Sequence, residues 1–557
     1  MSDATQTGRV LSADGTPLKK SLNRALRVQK LRALALIAPL LIFVLVTFIA
    51  PITDMLFRSV ENQIVSDTLP RTVAALKDWD PDSGEVPGDP AFEALYKDLF
   101  IAQELKIHSR LGSRLNYEKV GMSSLFRKSG RAVEKMGDLY VDQFEDLNDA
   151  WGEETTWVAL MASPAYGQAA TDWLAKQDAA KQAGQRFSTP PPAFELAPGI
   201  ADLLPETAEA FSQFADFMRT EEEETALDDE PWTSVYSALY RDLMAAPEAA
   251  IAAYSGPQAD LLQEARTAVP DFESASRKAQ FLEADEDWGD VSVWQTIRVY
   301  SPRYTPGYFL NAVDKQLGPD GITDQPETQQ IYLMLFKRTL FMSLVITASC
   351  ILLGYPVAWL LANLRMRTAN LLMILVLLPF WTSLLVRTSA WKVMLQQQGV
   401  INDVLVWLGL VDDANRLIMI NNQFGTIVAM THILLPFMIL PLYSVMQTIN
   451  PSYLRAAKSL GATNWTAFWR VYFPQSVPGI GAGSILVFIL AIGYYITPEI
   501  VGGTTGTFIS NRIAYHISSS LNWGLGAALG AILLAAVLIL YWAYDRIVGI
   551  DNVKLGG

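Results

Sequence analysis

The residues best suited to chemistry lie near position 495, where a carboxylate follows two aromatic side chains. Glu499 stands close to Tyr494 and Tyr495, directly after Pro498 and shortly before a Gly-Gly pair. A carboxylate beside aromatic faces suits an ammonium ligand, through charge and through cation–π attraction. The same residues also fit an interfacial glutamate in a tyrosine belt at a helix end, and the sequence leaves both interpretations open.

A second candidate set lies inside a long apolar run, where Trp381 and Thr382 follow Pro379. A proline frees a backbone carbonyl in a helix, and a membrane tolerates irregular backbone where it lines a cavity. His432, further on, is interpreted as a packed, neutral histidine. We therefore expect five residues to line a substrate pathway: Trp381, Thr382, Tyr494, Tyr495 and Glu499.

The sequence contains none of the common motifs for catalysis, nucleotide binding or metal binding. It contains no G-x-x-x-x-G-K-[ST] phosphate loop and no H-E-x-x-H, C-x-x-C or G-x-S-x-G motif. The acidic stretch EADEDWGD at residues 283–290 lacks the distal glutamate of a calcium loop, and solvated charges explain it better. We expect no catalytic residue, no cofactor and no metal site.

The most strongly patterned polar segment is the loop of residues 450–478, NPSYLRAAKSLGATNWTAFWRVYFPQSVP, called the coupling loop below. Apolar residues at three-to-four spacing predict a first short helix that ends at Gly461. A second stripe starts at Trp465, and Pro474 and Pro478 are predicted to end the second helix. Such amphipathic patterning between membrane spans predicts a docking element for a partner outside the membrane. The alternative is a basic helix lying on the bilayer surface.

The coupling loop resembles the coupling-helix motif of ABC-importer permeases. Ala456, Ala457, Gly461 and Pro474 fall at the family's two alanines, glycine and closing proline, and Arg455 stands where the family usually has glutamate. The resemblance implies that the loop contacts an ATPase subunit through the following residues: Arg455, Ala456, Ala457, Gly461, Ala462 and Pro474.

Three further stretches look like the first permease subunit of spermidine/putrescine importers. They are LLPFWTSLLVRTSAWKVML at residues 377–395, the GVIND that follows, and YYITPEIVGGT at residues 494–504. The resemblance implies the type I ABC-importer permease fold with six transmembrane helices. It also implies a second permease subunit, ATP-binding subunits and a periplasmic substrate-binding protein as partners.

Composition divides the chain of 557 residues into two unlike parts. Residues 58–330 carry 23 basic and 48 acidic side chains, a net charge of −25, while the remainder has 20 basic and 9 acidic ones. The basic residues cluster at the ends of apolar runs, where membrane topology accounts for them, so we expect no nucleic-acid partner. A single cysteine excludes a disulfide within the chain.

Six apolar runs are long enough to cross a bilayer, which takes about 20 residues. Arg387, Lys337 and Arg338 lie near predicted outer ends, where their side chains are expected to snorkel. The basic flanks predict that both termini are cytoplasmic and that residues 58–330 are periplasmic. The predicted spans are residues 33–57, 336–362, 369–392, 423–447, 480–500 and 524–546.

The acidic segment between the first two spans predicts a mainly α-helical domain. Phe92, Leu95, Tyr96, Leu99 and Phe100 follow helical spacing, and a second stripe begins at position 232. The alternating stretch VSVWQTIRVYSPRY predicts one or two strands over residues 291–304. At about 270 residues the segment is long enough to bury a core of its own.

These features together predict an all-α integral membrane protein of four parts. They are a cytoplasmic basic segment (1–32), a first transmembrane helix (33–57), an acidic periplasmic insert (58–330) and a five-helix permease core (331–557). The predicted function is that of a permease subunit of a bacterial ABC importer in the inner membrane, for a polyamine or related cation. The alternative is a membrane-anchored sensor with a large periplasmic ligand domain. A sensor would need an inner signalling domain, for which the short inner loops leave no room.

Overall fold

The computed structural model describes residues 18–548, with side chains from 27 to 546. These residues are almost entirely helical. Residues up to Glu61, Thr305–Gln316 and those from Ile322 onward form one compact unit, called the membrane unit below. Asn62–Tyr304 and Leu317–Gly321 form a second, called the insert unit. Strands Lys315–Gly318 and Gly321–Asp324 pair as a short hairpin.

Five helices of the membrane unit are long and apolar enough to cross a membrane, and a sixth candidate is a sharply bent pair. They are numbered here as span 1 (Arg27–Arg58), span 2 (Tyr332–Asn363), span 3 (Met366–Trp381 with Leu384–Met394), span 4 (Gln423–Thr448), span 5 (Asn464–Gly493) and span 6 (Trp523–Arg546). The shorter helices are Gly307–Asn311, Val400–Trp407, Pro451–Ser459, Ile496–Val501, Gly503–Gly506 and Ile509–Ser518.

Spans 2, 4 and 5 build the core of the membrane unit. Span 4 is the most enclosed, with 61% of its most apolar window buried. Glycines let span 5 approach it closely, since a Cβ added at Gly479 would lie 3.2 Å from the Cα of Leu442, and one at Gly483 would lie 2.6 Å from the Met438 sulfur. These glycines serve helix packing, as small residues do in membrane bundles.

Two spans differ from their predicted form. Span 3 is bent by 93° at Thr382 and Ser383, so it is not one straight helix over 369–392. Span 5 begins at Asn464 and ends at Gly493, so the predicted range of 480–500 is displaced. Pro474 and Pro478 lie inside span 5 and do not end a helix, which corrects the prediction. A π-turn over Phe468–Tyr472 shifts the hydrogen-bond pattern just before Pro474, which has no N–H to donate.

The insert unit is a set of short amphipathic helices around two aromatic cores. All five stripe residues predicted from the sequence are at most 3% exposed, on the helix Asp89–Glu104. Its α-helices are Ile64–Thr68, Pro70–Ala75, Asp89–Glu104, His108–Leu115, Met122–Val133, Asp138–Leu147, Glu154–Met161, Pro164–Gln182, Ile200–Leu203, Pro205–Phe217, Thr233–Ala245, Glu248–Ala253, Ala259–Ala268, Arg277–Ala284 and Val291–Val299.

The strands predicted over 291–304 are wrong. Residues Val291–Val299 form a helix, capped by Asp290, whose side chain accepts a hydrogen bond from Ser292 N at 2.9 Å. Val293, Trp294 and Ile297 all face the core, at spacings that a helix aligns and a strand does not.

Candidate functional site

The coupling loop contains a short helix that ends in a glycine turn. Helix Pro451–Ser459 begins at Asn450, whose side chain accepts a hydrogen bond from Ser452 N at 2.9 Å. After the helix, Gly461 N donates to Lys458 O at 3.0 Å, and Ala462 N donates to Ala457 O at 3.1 Å. This is a Schellman turn, which needs a left-handed residue at the glycine. Gly461 has a φ of +89°, and a Cβ there would meet open space.

The solvent-exposed face of the coupling loop presents large apolar side chains that no other residue covers within the part of the chain that the structure describes. The exposed fraction is 90% for Leu460 and 72% for Trp465, and Tyr453 and Trp469 are also exposed. Arg455 and Ala456 are exposed on the same helix, whereas Ala457 and Ala462 are half-buried. Among the described residues, none forms an ion pair with Arg455. A concentrated apolar patch with basic neighbours is typical of a protein-binding surface.

Aromatic contacts join the coupling loop to the membrane bundle. The ring of Phe468 lies edge-on to Tyr355 of span 2, with centroids 6.1 Å apart. The Tyr355 hydroxyl lies 3.0 Å from Ser476 Oγ of span 5. Span 5 continues from the coupling loop without interruption, so the loop is connected through the chain to span 5 and through Tyr355 to span 2. Pro474, predicted at the end of the loop, is an exposed residue in this continuous helix.

The first pair of predicted pathway residues lies at the bend of span 3. Thr382 N and Thr382 Oγ1 both donate to Pro379 O, at 3.3 and 2.9 Å. Thr382 therefore stabilises the bend by satisfying this carbonyl. Trp381 is 72% exposed. The bend thus presents an aromatic side chain on the surface of the chain.

The second set lies where the chain leaves span 5. Asn511 Nδ2 donates to Glu499 Oε2 at 2.5 Å and to Tyr495 O at 2.9 Å. The Asn511 oxygen accepts from Phe508 N at 3.0 Å, which fixes the orientation of the amide. Glu499 is exposed and forms no ion pair with a described residue, so its charge is available to a cation. Tyr494 is half-buried and Tyr495 is exposed.

Two polar contacts join the second half of span 3, Leu384–Met394, to its neighbours. The hydroxyls of Thr388 and Thr497 lie 3.1 Å apart and are both buried, which joins Leu384–Met394 to Ile496–Val501. Trp391 Nε1 donates to His432 Nδ1 of span 4 at 3.1 Å. Among the described residues, no hydrogen bond or ring contact joins Trp381 or Thr382 directly to Glu499. The predicted pathway residues therefore lie on linked helices without forming one contiguous cluster.

Arg387 is a candidate that the sequence analysis missed. Its Nε and Nη1 atoms are buried, and neither has a hydrogen-bond partner among the described residues. It lies close enough to His432 and Tyr494 to act on both electrostatically. Two of the three guanidinium nitrogens are therefore enclosed by protein. An arginine in a membrane span with no acidic partner is a candidate functional group, because its desolvation is uncompensated. Its place inside an apolar run was the available signal.

Comparison with known proteins identifies relatives of the membrane unit. Residues 351–548 match the family model described as "Binding-protein-dependent transport system inner membrane component". The spermidine/putrescine transport system permease protein PotB of Salmonella typhimurium is 36% identical over 220 residues, which cover 39% of this chain and 76% of that protein. PotB of Escherichia coli is 35% identical over 220 residues, 39% of this chain and 79% of that protein.

A further relative and a solved structure also match part of this chain. The inner membrane ABC transporter permease protein YdcU of Escherichia coli is 33% identical over 223 residues, 38% of this chain and 70% of that protein. One matching solved structure is the crystal structure of a bacterial alginate ABC transporter in complex with an alginate pentasaccharide-bound periplasmic protein. The match covers 41% of this chain and 81% of the matched chain of that structure. It is 21% identical, with a TM-score of 0.32.

Proposed function

Because this chain belongs to the family of binding-protein-dependent transport system inner membrane components, we propose that it is the first of two permease subunits of an importer for polyamines or related small cations. The chain is a multi-pass inner membrane protein and is not itself an enzyme. Its family implies ATPase subunits and a binding protein as partners. Similarity to spermidine/putrescine permeases supports the solute class.

The observation that carries the proposal is the coupling loop. Its exposed apolar patch, which includes Leu460 and Trp465, provides a surface for an ATPase subunit. Its continuation into span 5 provides a rigid connection to the bundle. ATP-driven closure of the ATPase pair would move this loop and thereby shift the bundle between two states.

The exit of span 5 supports a cationic solute. Glu499 combines an available carboxylate with Tyr495, an exposed aromatic neighbour. An ammonium group gains from both, and the gain is larger where water is excluded. A negatively charged solute would gain no binding energy from this carboxylate.

One observation favours a second candidate, a solute that carries both an ammonium and a carboxylate group. Arg387 lacks an acidic partner among the described residues, and its fork suits a carboxylate. A zwitterionic solute would place its ammonium group near Glu499 and its carboxylate near Arg387. This arrangement would need the buried guanidinium to become accessible in another state of the transporter.

Uptake by the reconstituted complex separates the two candidates. The test measures ATP-dependent uptake of labelled putrescine, which has two ammonium groups, and of ornithine, which adds a carboxylate. The proposal expects putrescine uptake that falls at least about tenfold in Glu499→Gln, a loss of roughly 1.4 kcal/mol. Uptake of ornithine without putrescine, abolished by Arg387→Gln, would instead establish the second candidate.

The orientation of the chain in the membrane is part of the proposal. A basic flank before span 1 and the charge of −25 over residues 58–330 support cytoplasmic termini and a periplasmic insert. A reporter that is active only in the periplasm should be active when fused at Gly256 and inactive when fused at Gly557. The opposite pattern would overturn this topology.

A further inference from the structure

The insert unit contains two copies of one sequence pattern. The first copy has L-P-x-T at residues 69–72, A-L-Y-K-D-L at 94–99 and Q-F-x₆-W-G-x₄-W at 143–157. The second repeats the three motifs in the same order, at 204–207, 238–243 (A-L-Y-R-D-L) and 280–294. Three motifs in one order indicate an internal duplication.

The contacts within the copies are also duplicated. Thr72 N and Thr72 Oγ1 donate to Asp98 Oδ2 at 2.7 and 2.8 Å, and Thr207 N and Thr207 Oγ1 donate to Asp242 Oδ2, both at 2.7 Å. The tryptophan pairs agree as closely. Trp157 Nε1 donates to Trp151 O at 2.8 Å and Trp294 Nε1 to Trp288 O at 3.0 Å, and both ring pairs have centroids 5.2 Å apart.

Each of the two aromatic cores of the insert unit combines the first two motifs of one copy, called its front, with the third motif of the other copy, called its back. Trp157, from the back of the first copy, packs edge-on against Tyr236 of the second, at 4.8 Å. Trp294, from the back of the second copy, packs in the same way against Phe92 of the first, at 4.7 Å. The insert unit therefore has the architecture of a segment-swapped dimer fused into one chain.

The two copies cross at a seam with local two-fold symmetry. Gln143 Nε2 donates to Glu273 O at 3.2 Å, and its counterpart Gln280 Nε2 donates to Met136 O at 3.1 Å. Each glutamine thus binds the backbone at the equivalent position of the opposite crossing. A symmetric seam has two equivalent sides, and the side chains that fill them can be compared directly.

One side of the seam is closed by an arginine. Arg277 is 5% exposed, and its guanidinium carbon lies 3.8 Å from the centroid of the Tyr96 ring. It donates to Ser237 Oγ at 2.9 Å and to Met136 O at 2.6 Å. The backbone is also tight here, since a Cβ added at Gly137 would lie 2.6 Å from atoms of Thr233.

The equivalent side is open. Tyr140 stands where the closed side has Arg277, and it packs on Tyr240, the counterpart of Tyr96, with centroids 4.7 Å apart. A cleft of about 340 Å³ lies here, lined by both tyrosines, Asp89, Glu93, Arg241 and Arg277 among others. Arg277 borders this cleft from the closed side, with its guanidinium carbon 5.7 Å from the centroid of the Tyr140 ring, and the open side has a tyrosine at the position equivalent to Arg277.

We propose that this open cleft binds the guanidinium or ammonium head of a small organic cation. The rings of Tyr140 and Tyr240 both line the cleft and offer aromatic surface to a cation. Glu93 is paired with both arginines of the cleft, with Arg241 at 2.7 Å and with Arg277 at 3.3 Å. The carboxylate of Asp89 accepts only from Ser276 Oγ, at 3.0 Å, among the described residues, so its charge is left for a bound cation. The inference concerns binding to the insert and does not depend on which solute is transported.

The test is calorimetric titration of agmatine, which has a guanidinium and an ammonium group, into the full chain in detergent. Tyr140→Arg places on the open side the side chain that already fills the closed side. It is expected to abolish saturable binding, and Asp89→Asn to weaken binding about tenfold. Ala169→Arg adds the same charge at an exposed site of helix Pro164–Gln182, and Asp82→Asn removes an exposed carboxylate. Both controls are expected to bind as the unaltered chain does.

Two results would overturn the inference. One is the absence of saturable agmatine binding to the unaltered chain. The other is undiminished binding by Tyr140→Arg with an unchanged unfolding temperature, which would place the ligand elsewhere. Should Tyr140→Arg fail to fold, Asp89→Asn decides alone, because an exposed polar substitution leaves the core intact. A negative result here would leave uptake by the complex unaffected, so it is separable from failure of the proposed function.

Discussion

At the scale of single residues, Gly461 is the position where backbone geometry and the proposed docking surface coincide. Gly461→Asp places a charged side chain on the exposed patch beside Leu460. We expect the variant to insert normally but to lose transport and binding-protein-stimulated ATPase activity. ATP hydrolysis and uptake by purified complexes at matched subunit content measure this.

Gly409 provides a matched control for that substitution. It also has a positive φ, +69°, and an added Cβ there meets open space, but it lies outside the coupling loop. Gly409→Asp therefore imposes similar backbone strain and the same charge. Normal coupling in Gly461→Asp, or an equal loss in both variants, would refute the docking interpretation of the loop.

His516 is a buried histidine that should make the stability of the protein depend on pH. It lies between spans 5 and 6, 3% exposed, with Nε2 3.0 Å from the Tyr332 hydroxyl and Nδ1 2.9 Å from Ser520 Oγ. Burial first, and the charge of Arg512 second, lower its pKa to about 4. The unfolded chain takes up this proton near pH 6.5, the ordinary histidine pKa, whereas the folded chain takes it up only near pH 4.

Acidification through this window should therefore destabilise the protein. Stability from the neutral imidazole is complete above about pH 6.5 and is lost progressively as the pH falls toward 4. Unfolding temperatures in detergent should fall over this range, and less so in His516→Gln, which keeps a polar group without titrating. An equal fall in both proteins would show that other groups dominate.

At the scale of elements, the duplicated caps of the insert unit should have equal energetic weight. Thr72→Val and Thr207→Val each remove a hydroxyl from a buried carboxylate, in nearly identical geometry. Loss of one such hydrogen bond costs about 1–3 kcal/mol when the partner stays buried. We expect equal losses of unfolding free energy, measured by denaturant titration with tryptophan fluorescence. Losses that differ by more than about twofold would mean that the copies have diverged in stability.

Sequence pattern predicted some elements and not others, for physical reasons. The helix Asp89–Glu104 and the turn at Gly461 were predictable because helical spacing and left-handed glycine are local properties. The bend of span 3 was not, because the angle at Thr382 depends on packing and not on composition. The helix at Val291–Val299 was mistaken for strands because its valines alternate over a short run.

The duplication was missed because its copies lie more than 130 residues apart and share only short motifs. Between the motifs the copies differ in length and composition, so no periodicity accumulates along the chain. The paired spacing of Trp151 with Trp157 and of Trp288 with Trp294 was the available signal. Arg387 shows the same limit, since only the folded bundle reveals that its Nε and Nη1 atoms are buried without a hydrogen-bond partner among the described residues.

At the scale of the whole molecule, we propose that the insert docks the binding protein. Its charge of −25 could instead attract a cationic solute toward the pathway. The Debye length is about 8 Å at physiological salt, so such a field acts only at short range. A field needs only a few carboxylates, whereas a docking surface needs a domain. The size of the insert therefore favours docking.

Removal of the insert tests this role cleanly, because the chain leaves and re-enters the membrane unit at adjacent points. Thr305 N donates to Val60 O at 2.8 Å, so residues 62–304 can be replaced by a short Gly-Ser linker without straining either end. We expect the deletion to keep span assembly and ATPase binding but to weaken the binding protein's affinity for the complex at least about tenfold, or roughly 1.4 kcal/mol. Glutamine at all four positions of 221–224 is the matched charge variant, and a contact surface predicts a much smaller effect from it. Unchanged affinity after the deletion would refute docking, and an equal loss in the glutamine variant would point to the field.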